Sequence, residues 1–194
     1  DYVIKDLGKI RSAIKKYAKT SYYNLLLVAF SQTVRDVSNN RKGEFKRFRL
    51  DSKSLEKFNP NVTSIFMKNL SDFLQILNSD ELINTKNCYL FRADITKEIP
   101  FSNGIDIVIT SPPYGDSKTT VAYGEFSSFS LDWLEGLNPF GDANLKLDSE
   151  SLGGRKINGD IEISETLKNT FLQLKFLNPK RAEDLRSFYI DLFR

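Results

Sequence analysis

The stretch Ile105-Asp106-Ile107-Val108-Ile109 constrains the fold of this chain more than any other. Four of its five residues are β-branched; Asn103-Gly104 precedes it and Pro112-Pro113 closes it off. β-Branched side chains are stiff at χ1 and suit a pleated surface, and a short apolar run bounded by turn residues is the pattern of a strand covered on both faces. The spacing predicts a buried parallel strand over 105–109. Upstream, Cys88-Tyr89-Leu90-Phe91 is short and apolar and ends at Arg92-Ala93-Asp94, a second predicted strand.

Helical patterns surround these strands. Within residues 2–18, Ile4, Leu7, Ile10, Ile14 and Tyr17 recur at spacings of three and four, an amphipathic helix. Tyr22 to Val37 is denser in apolar residues and reads as a mostly buried helix, broken by Asn39, Asn40 and Gly43. A third helix is predicted from Val62 to Leu77 and a short one from Phe126 to Leu134. Residues 138–160 hold Pro139, Gly141, Gly153, Gly154 and Gly159 and read as a long loop. Two helices follow, Ile163–Leu177 and Pro179–Phe193, the second opened by Asn178-Pro179. Helix, short strand, loop and strand is the rhythm of an α/β sheet. The expectation is one domain over 1–194: mainly helical over 1–80, a strand-loop region over 87–137, then a loop and helices over 138–194.

Composition removes whole classes of chemistry. There is no histidine and a single cysteine, Cys88. A catalytic triad, imidazole metal ligation, a thiolate metal cluster and an intrachain disulfide are therefore all outside this chain's repertoire. No apolar run approaches the roughly 18 residues of a membrane span, and no charged-then-apolar signal segment opens the chain, so a cytoplasmic protein is expected. At 40% hydrophobic and 27% charged residues the chain can bury a core, and its net charge of +3 permits a nucleic-acid partner without demanding one. The run Arg41-Lys42-Gly43-Glu44-Phe45-Lys46-Arg47-Phe48-Arg49 fits a solvated charged turn first and a contact to DNA phosphates second. Phe45 and Phe48 in it read as core anchors before base-stacking platforms.

The chemistry-bearing element is Ser111-Pro112-Pro113-Tyr114, at the carboxyl end of the predicted strand, where open α/β sheets place ligands. Two prolines fix their backbone angles and have no N–H, so their carbonyls can be aimed rigidly at an amino donor. The Ser111 hydroxyl can accept from the same amine, and Tyr114 offers a flat face on which an extruded base can stack. Drawing an aromatic amine's lone pair out of conjugation is positioning work and needs no imidazole.

With its surroundings, Asp106-Ile-Val-Ile-Thr-Ser-Pro-Pro-Tyr114 resembles the catalytic motif of the bacterial site-specific DNA amino-methyltransferases of restriction-modification systems. The serine form looks most like the cytosine-N4 enzymes, although some adenine-N6 enzymes share it. Blocks Ala29–Lys46, Gly115–Gly124 and Leu152–Arg155 extend the likeness over most of the chain. The resemblance implies a Rossmann-like α/β fold, S-adenosylmethionine as methyl donor and double-stranded DNA as partner. It implies Ser111, Pro112, Pro113 and Tyr114 as the catalytic loop and, by placement after a strand, Asp94 as the acid that contacts the cofactor's adenine.

One departure bears on all of this. Family members cradle S-adenosylmethionine with a Gly-rich turn after a strand, but here the glycines before residue 104 are Gly8 and Gly43, each isolated. The chain, which begins at Asp1, thus resembles the middle of such an enzyme: a partial fold with helical N-terminal and C-terminal segments, expected to be inactive alone. The alternative is a non-catalytic fragment or subunit that binds DNA or a companion chain.

Overall fold

The computed structural model describes residues 1–43, 47–79, 89, 91, 104–110, 123–138, 156 and 164–192. The chain divides into two compact units, one formed by Asp1–Leu90 with Glu125–Leu145 and the other by Phe91–Gly124 with Lys146–Arg194.

Helices α1 (Tyr2–Lys15), α2 (Tyr23–Asp36), α3 (Ser52–Lys57) and α4 (Val62–Leu77), with nearly all of α5 (Tyr123–Leu134), build the first unit. Helix α2 is its centre: Ala29, Phe30 and Thr33 are wholly buried, and Leu27, Val34 and the following Val37 nearly so. Leu7 and Ile14 of α1 lie seven residues apart on one face, and Val62, Phe66 and Asn69 of α4 sit at i, i+4 and i+7, so each helix turns one stripe inward. Both helices pack on α2 and on each other. Helix α5 brings Phe129, Trp133 and Leu134 to the same core, Trp133 meeting Phe30 edge to face at 6.1 Å and 89°. Burying one such aromatic side chain contributes on the order of 1.5–3 kcal/mol.

Polar side chains also tie these helices together. The Arg11 guanidinium donates to the carbonyls of Trp133, at 2.9 Å, and Glu135, placing a cation on the C-terminal end of α5. The Tyr23 hydroxyl donates to the Leu137 carbonyl at 2.7 Å, and the Ser130 hydroxyl to the Ser31 carbonyl at 3.1 Å. Between α2 and α4, the Asn69 amide donates to the Thr33 hydroxyl (3.1 Å) and to the Asp36 carboxylate (3.0 Å), whose other oxygen accepts from Gln32.

Helix α3, which apolar periodicity does not announce, starts at an N-cap instead: the Asp51 carboxylate accepts from the Ser54 backbone N–H at 2.8 Å. That N–H first, then the Ser54 hydroxyl, and more weakly Arg41, hold the Asp51 carboxyl below its ordinary 3.8. A carboxyl with a depressed folded-state pKa supports its cap above about pH 4 and loses it as pH falls through the lowered value. An NMR titration following the Asp51 carboxyl carbon should therefore give a midpoint under 3.8; a midpoint at or above that would show the cap is not held in solution.

The second unit contains α6 (Glu165–Leu177) and α7 (Pro179–Leu192), packed against each other as a helical hairpin. Ser164 caps α6, accepting from the Leu167 N–H, and Asn178 both ends α6 in an extended conformation and accepts from the Arg181 N–H to begin α7. Pro179, without an N–H, cannot prolong the first helix but suits the first position of the next. Ala182, Phe188 and Ile190 are buried on α7, and Phe171 of α6 meets Tyr189 at 6.1 Å.

The expected α/β Rossmann-like fold is overturned. Helices account for 68% of the described residues, and no strand or sheet occurs among them; the one isolated antiparallel bridge joins Asn40 to Arg49. The predicted strand 105–109 is irregular, with Ile105, Ile107, Val108 and Ile109 exposed by 53%, 76%, 75% and 93%. In the other predicted strand, Tyr89 and Phe91 are exposed and outside any strand, while Cys88 and Leu90 lie outside the described residues. β-Branching favours an extended backbone, but a strand also needs a neighbour for its N–H and C=O groups, and none of the described residues pairs with 104–110.

An exposed β-branched run is itself a template for pairing with a second copy. The chain is expected to self-associate as concentration rises, and Val108→Lys to reduce this in light scattering. Equal scattering from both proteins would show that the run is not the contact.

Candidate nucleic-acid interface

Ser111, Pro112, Pro113 and Tyr114, and Asp94 with them, lie outside the described residues; the description ends at Thr110, one residue before the loop. Among the described residues no Gly-rich turn opens a helix after a strand. Gly8 sits inside α1 and Gly43 in a surface turn, so neither opens a helix after a strand.

What the described residues do bring together is a cationic groove in the first unit. It forms where the last turn of α2, the segment after it and the start of α5 converge, and encloses about 230 Å³. Two hydrogen bonds pinch that segment, Arg41 N–H to the Phe48 carbonyl at 2.7 Å and Leu50 N–H to the Asn39 carbonyl at 2.8 Å. Gly43, at a φ of 81°, takes a left-handed conformation that other residues adopt at a cost. The pinch turns Arg41, Lys42 and Arg47 towards one opening, with Arg35 from α2.

Among the described residues, four cations, Arg35, Arg41, Lys42 and Arg47, line the groove with the carboxylate of Asp36, and that of Glu125 meets Arg47 from beside it. Both Asp36 oxygens are already engaged, by Gln32 and Asn69. The Arg35 guanidinium lies 3.9 Å from the Phe126 ring centroid, and that of Arg47 lies 5.1 Å from Phe129. Such stacking fixes a planar fork without neutralising it. Arg47 is further set by Glu125, whose carboxylate accepts from its backbone N–H at 3.2 Å and pairs with its guanidinium at 3.9 Å. Arg35, Arg41 and Lys42 make no ion pair with any described residue.

The composition of the 41–49 run pointed to this place, but not to Arg35, Phe126 or Phe129. In sequence Arg35 is an unremarkable residue of α2, and nothing in the chain's periodicity links it to an aromatic 91 positions away. Phe48, expected as a core anchor, is 47% exposed, and Phe45 lies outside the described residues. Among the described residues no helix is long and apolar enough to cross a membrane.

No family model matches the chain, and no solved structure does. Among curated proteins, the type II methyltransferase M.MvaI of Kocuria varians is 37% identical over 98% of this chain and 45% of its own length. The chain thus spans a little under half of the relative it matches. Identity at that level, sustained from end to end of the chain, reflects common descent and not a shared tetrapeptide: the chain is homologous to a part of a type II methyltransferase.

Proposed function

We propose that the chain serves site-specific methylation of double-stranded DNA, with an exocyclic base amine as acceptor, cytosine N4 first and adenine N6 second. The observation that carries this reading is the Asp106–Tyr114 run standing inside a chain that is 37% identical to a type II methyltransferase. In this reading S-adenosylmethionine supplies the methyl group, and Asp94 contacts its adenine.

The chain's own contribution is positioning. The target base leaves the stack and lies on Tyr114. Its amine donates to the Ser111 hydroxyl and the Pro112 carbonyl, which hold the nitrogen lone pair out of the ring's π system. The rigid backbone of Pro112 and Pro113 keeps the acceptors from relaxing towards water.

Nuclease digestion and mass analysis of DNA treated with the active protein tests the reading. N4-methylcytosine is expected; N6-methyladenine alone would reverse the ranking, and the absence of any methylated base would remove the proposal. In the active protein Tyr114→Ala should lower turnover roughly 5- to 150-fold, the loss of a stacking surface worth about 1–3 kcal/mol. Unchanged turnover and Michaelis constant for DNA would exclude the stacking role.

A second reading is a subunit that binds a companion chain supplying the cofactor turn; residues 1–103 hold two isolated glycines, Gly8 and Gly43. Calorimetric titration of the 194-residue chain with S-adenosylmethionine separates the two. Micromolar binding by the chain alone would exclude the companion.

A further inference from the structure

We propose that the groove between the end of α2 and the start of α5 is a phosphate clamp for the DNA backbone, in which Arg35, Arg41, Lys42 and Arg47 meet successive phosphodiesters of one strand. The proposal rests on the DNA reading above, and names where the chain grips the duplex away from the Ser111–Tyr114 loop.

Three observations carry it. Among the described residues the groove gathers four cations against two carboxylates, Asp36, whose oxygens are both already used, and Glu125, which pairs with Arg47 at 3.9 Å. In a chain with a net charge of only +3, such a concentration is local and not a general excess. Two of the four cations are guanidinium groups laid on aromatic rings, at 3.9 and 5.1 Å. A charge held that way loses little side-chain freedom when it meets a phosphate, and a planar fork matches phosphate oxygens two at a time. A solvated turn, the competing reading of the 41–49 run, has no use for an arginine stacked from another helix. Lastly, Arg41 and Lys42 are exposed and make no ion pair with any described residue, so binding an anion breaks no existing pair there.

The chemistry in the groove is that of phosphate and not of base edges. It supplies register and affinity, with a strong salt dependence, and leaves sequence to be read elsewhere. Each phosphate contact contributes about 0.9 to the slope of log K against log salt, so four contacts make binding fall roughly 150-fold between 50 and 200 mM salt.

The experiment is fluorescence anisotropy of the full chain with a labelled DNA duplex across that salt range. It compares wild type, Arg41→Gln/Lys42→Gln, Arg35→Lys, and the control Lys15→Gln/Lys16→Gln, which removes two exposed charges outside the groove. The exposed double variant should weaken binding at 50 mM salt and reduce the slope by about 1.8, roughly a 12-fold smaller fall across the salt range. Arg35→Lys keeps the charge but loses the planar fork, and should weaken binding several-fold while changing the slope little. Circular dichroism melting confirms that each variant is folded; the double variant, lying in an exposed turn, carries the test if Arg35→Lys melts early. An equal loss in the control, no salt-dependent binding by wild type, or tighter binding of an RNA duplex than of DNA would each overturn the clamp. The methylation reading fails separately. If the active protein still methylates DNA while groove variants bind like wild type, the clamp is wrong and the reading stands.

Discussion

Phe30→Ala is expected to destabilise the first unit by about 3–5 kcal/mol, the usual cost of deleting a buried phenyl ring and leaving its cavity. Phe30 is wholly buried at the centre of α2, in the cluster that collects Leu7, Ile14, Val34, Val62 and Phe66 from three helices. These walls belong to separate elements, so collapse into the space would require several helices to shift together. Urea unfolding followed by circular dichroism measures the loss, and the melting temperature should fall by roughly 6–20 °C. A loss under about 1 kcal/mol would mean that the site relaxes or that Phe30 is not enclosed. A double-mutant cycle with Trp133→Ala adds detail. The edge-to-face pair at 6.1 Å should show a coupling of about 0.5–1.5 kcal/mol beyond area burial.

Asn69→Asp is expected to cost about 3 kcal/mol or more at neutral pH, although it changes only one group of the side chain. The wild-type amide donates both to Thr33 and to the Asp36 carboxylate, at 3.1 and 3.0 Å, in a position 8% exposed. The substitution replaces that donor by an acceptor and sets a second carboxylate against Asp36 in a place largely closed to water. Burial and the like charge both raise the new group's folded-state pKa above its unfolded value near 3.9. The unfolded chain then releases a proton that the folded one retains, so the penalty grows as pH rises above about 4 and fades below it. Chemical unfolding at pH 7 and at pH 3.5, each against wild type, checks both sign and size. A penalty equal at the two pH values would show a packing defect and not a charge conflict. Asn69→Leu separates the terms, because it removes the donor without adding charge and should cost less at pH 7.

The contrast between residues 62–77 and 105–109 shows where reading the chain succeeds. Val62, Phe66, Asn69 and Phe73 fall on one side of a helix because 3.6 residues per turn is a local property, and α4 runs from Val62 to Leu77 as the spacing predicts. Both hydrogen-bond partners of a helical residue lie in the same segment. The run 105–109 has equally strong local preferences, yet its hydrogen bonds would have to go to another segment, and it stays irregular and exposed. Helix α3 makes a third case. Its six residues carry no apolar stripe, and the signal was a cap, Asp51 three residues before Ser54.

The candidate site divides along the same line. From residues alone came the absence of imidazole chemistry, the Ser111–Tyr114 loop with its family resemblance, and a basic run at 41–49 that could be a turn or a DNA contact. Those are properties of residue type and short spacing, which the chain carries in any conformation. Only the tertiary structure decided that Arg35 stacks on Phe126, that Arg47 lies over Phe129, and that both open onto the same groove as Arg41 and Lys42. Such a constellation depends on the packing of α5 against α2, which joins residues about 90 positions apart through buried apolar surface, and buried apolar surface is non-directional and leaves no periodic mark that links one segment to its distant partner.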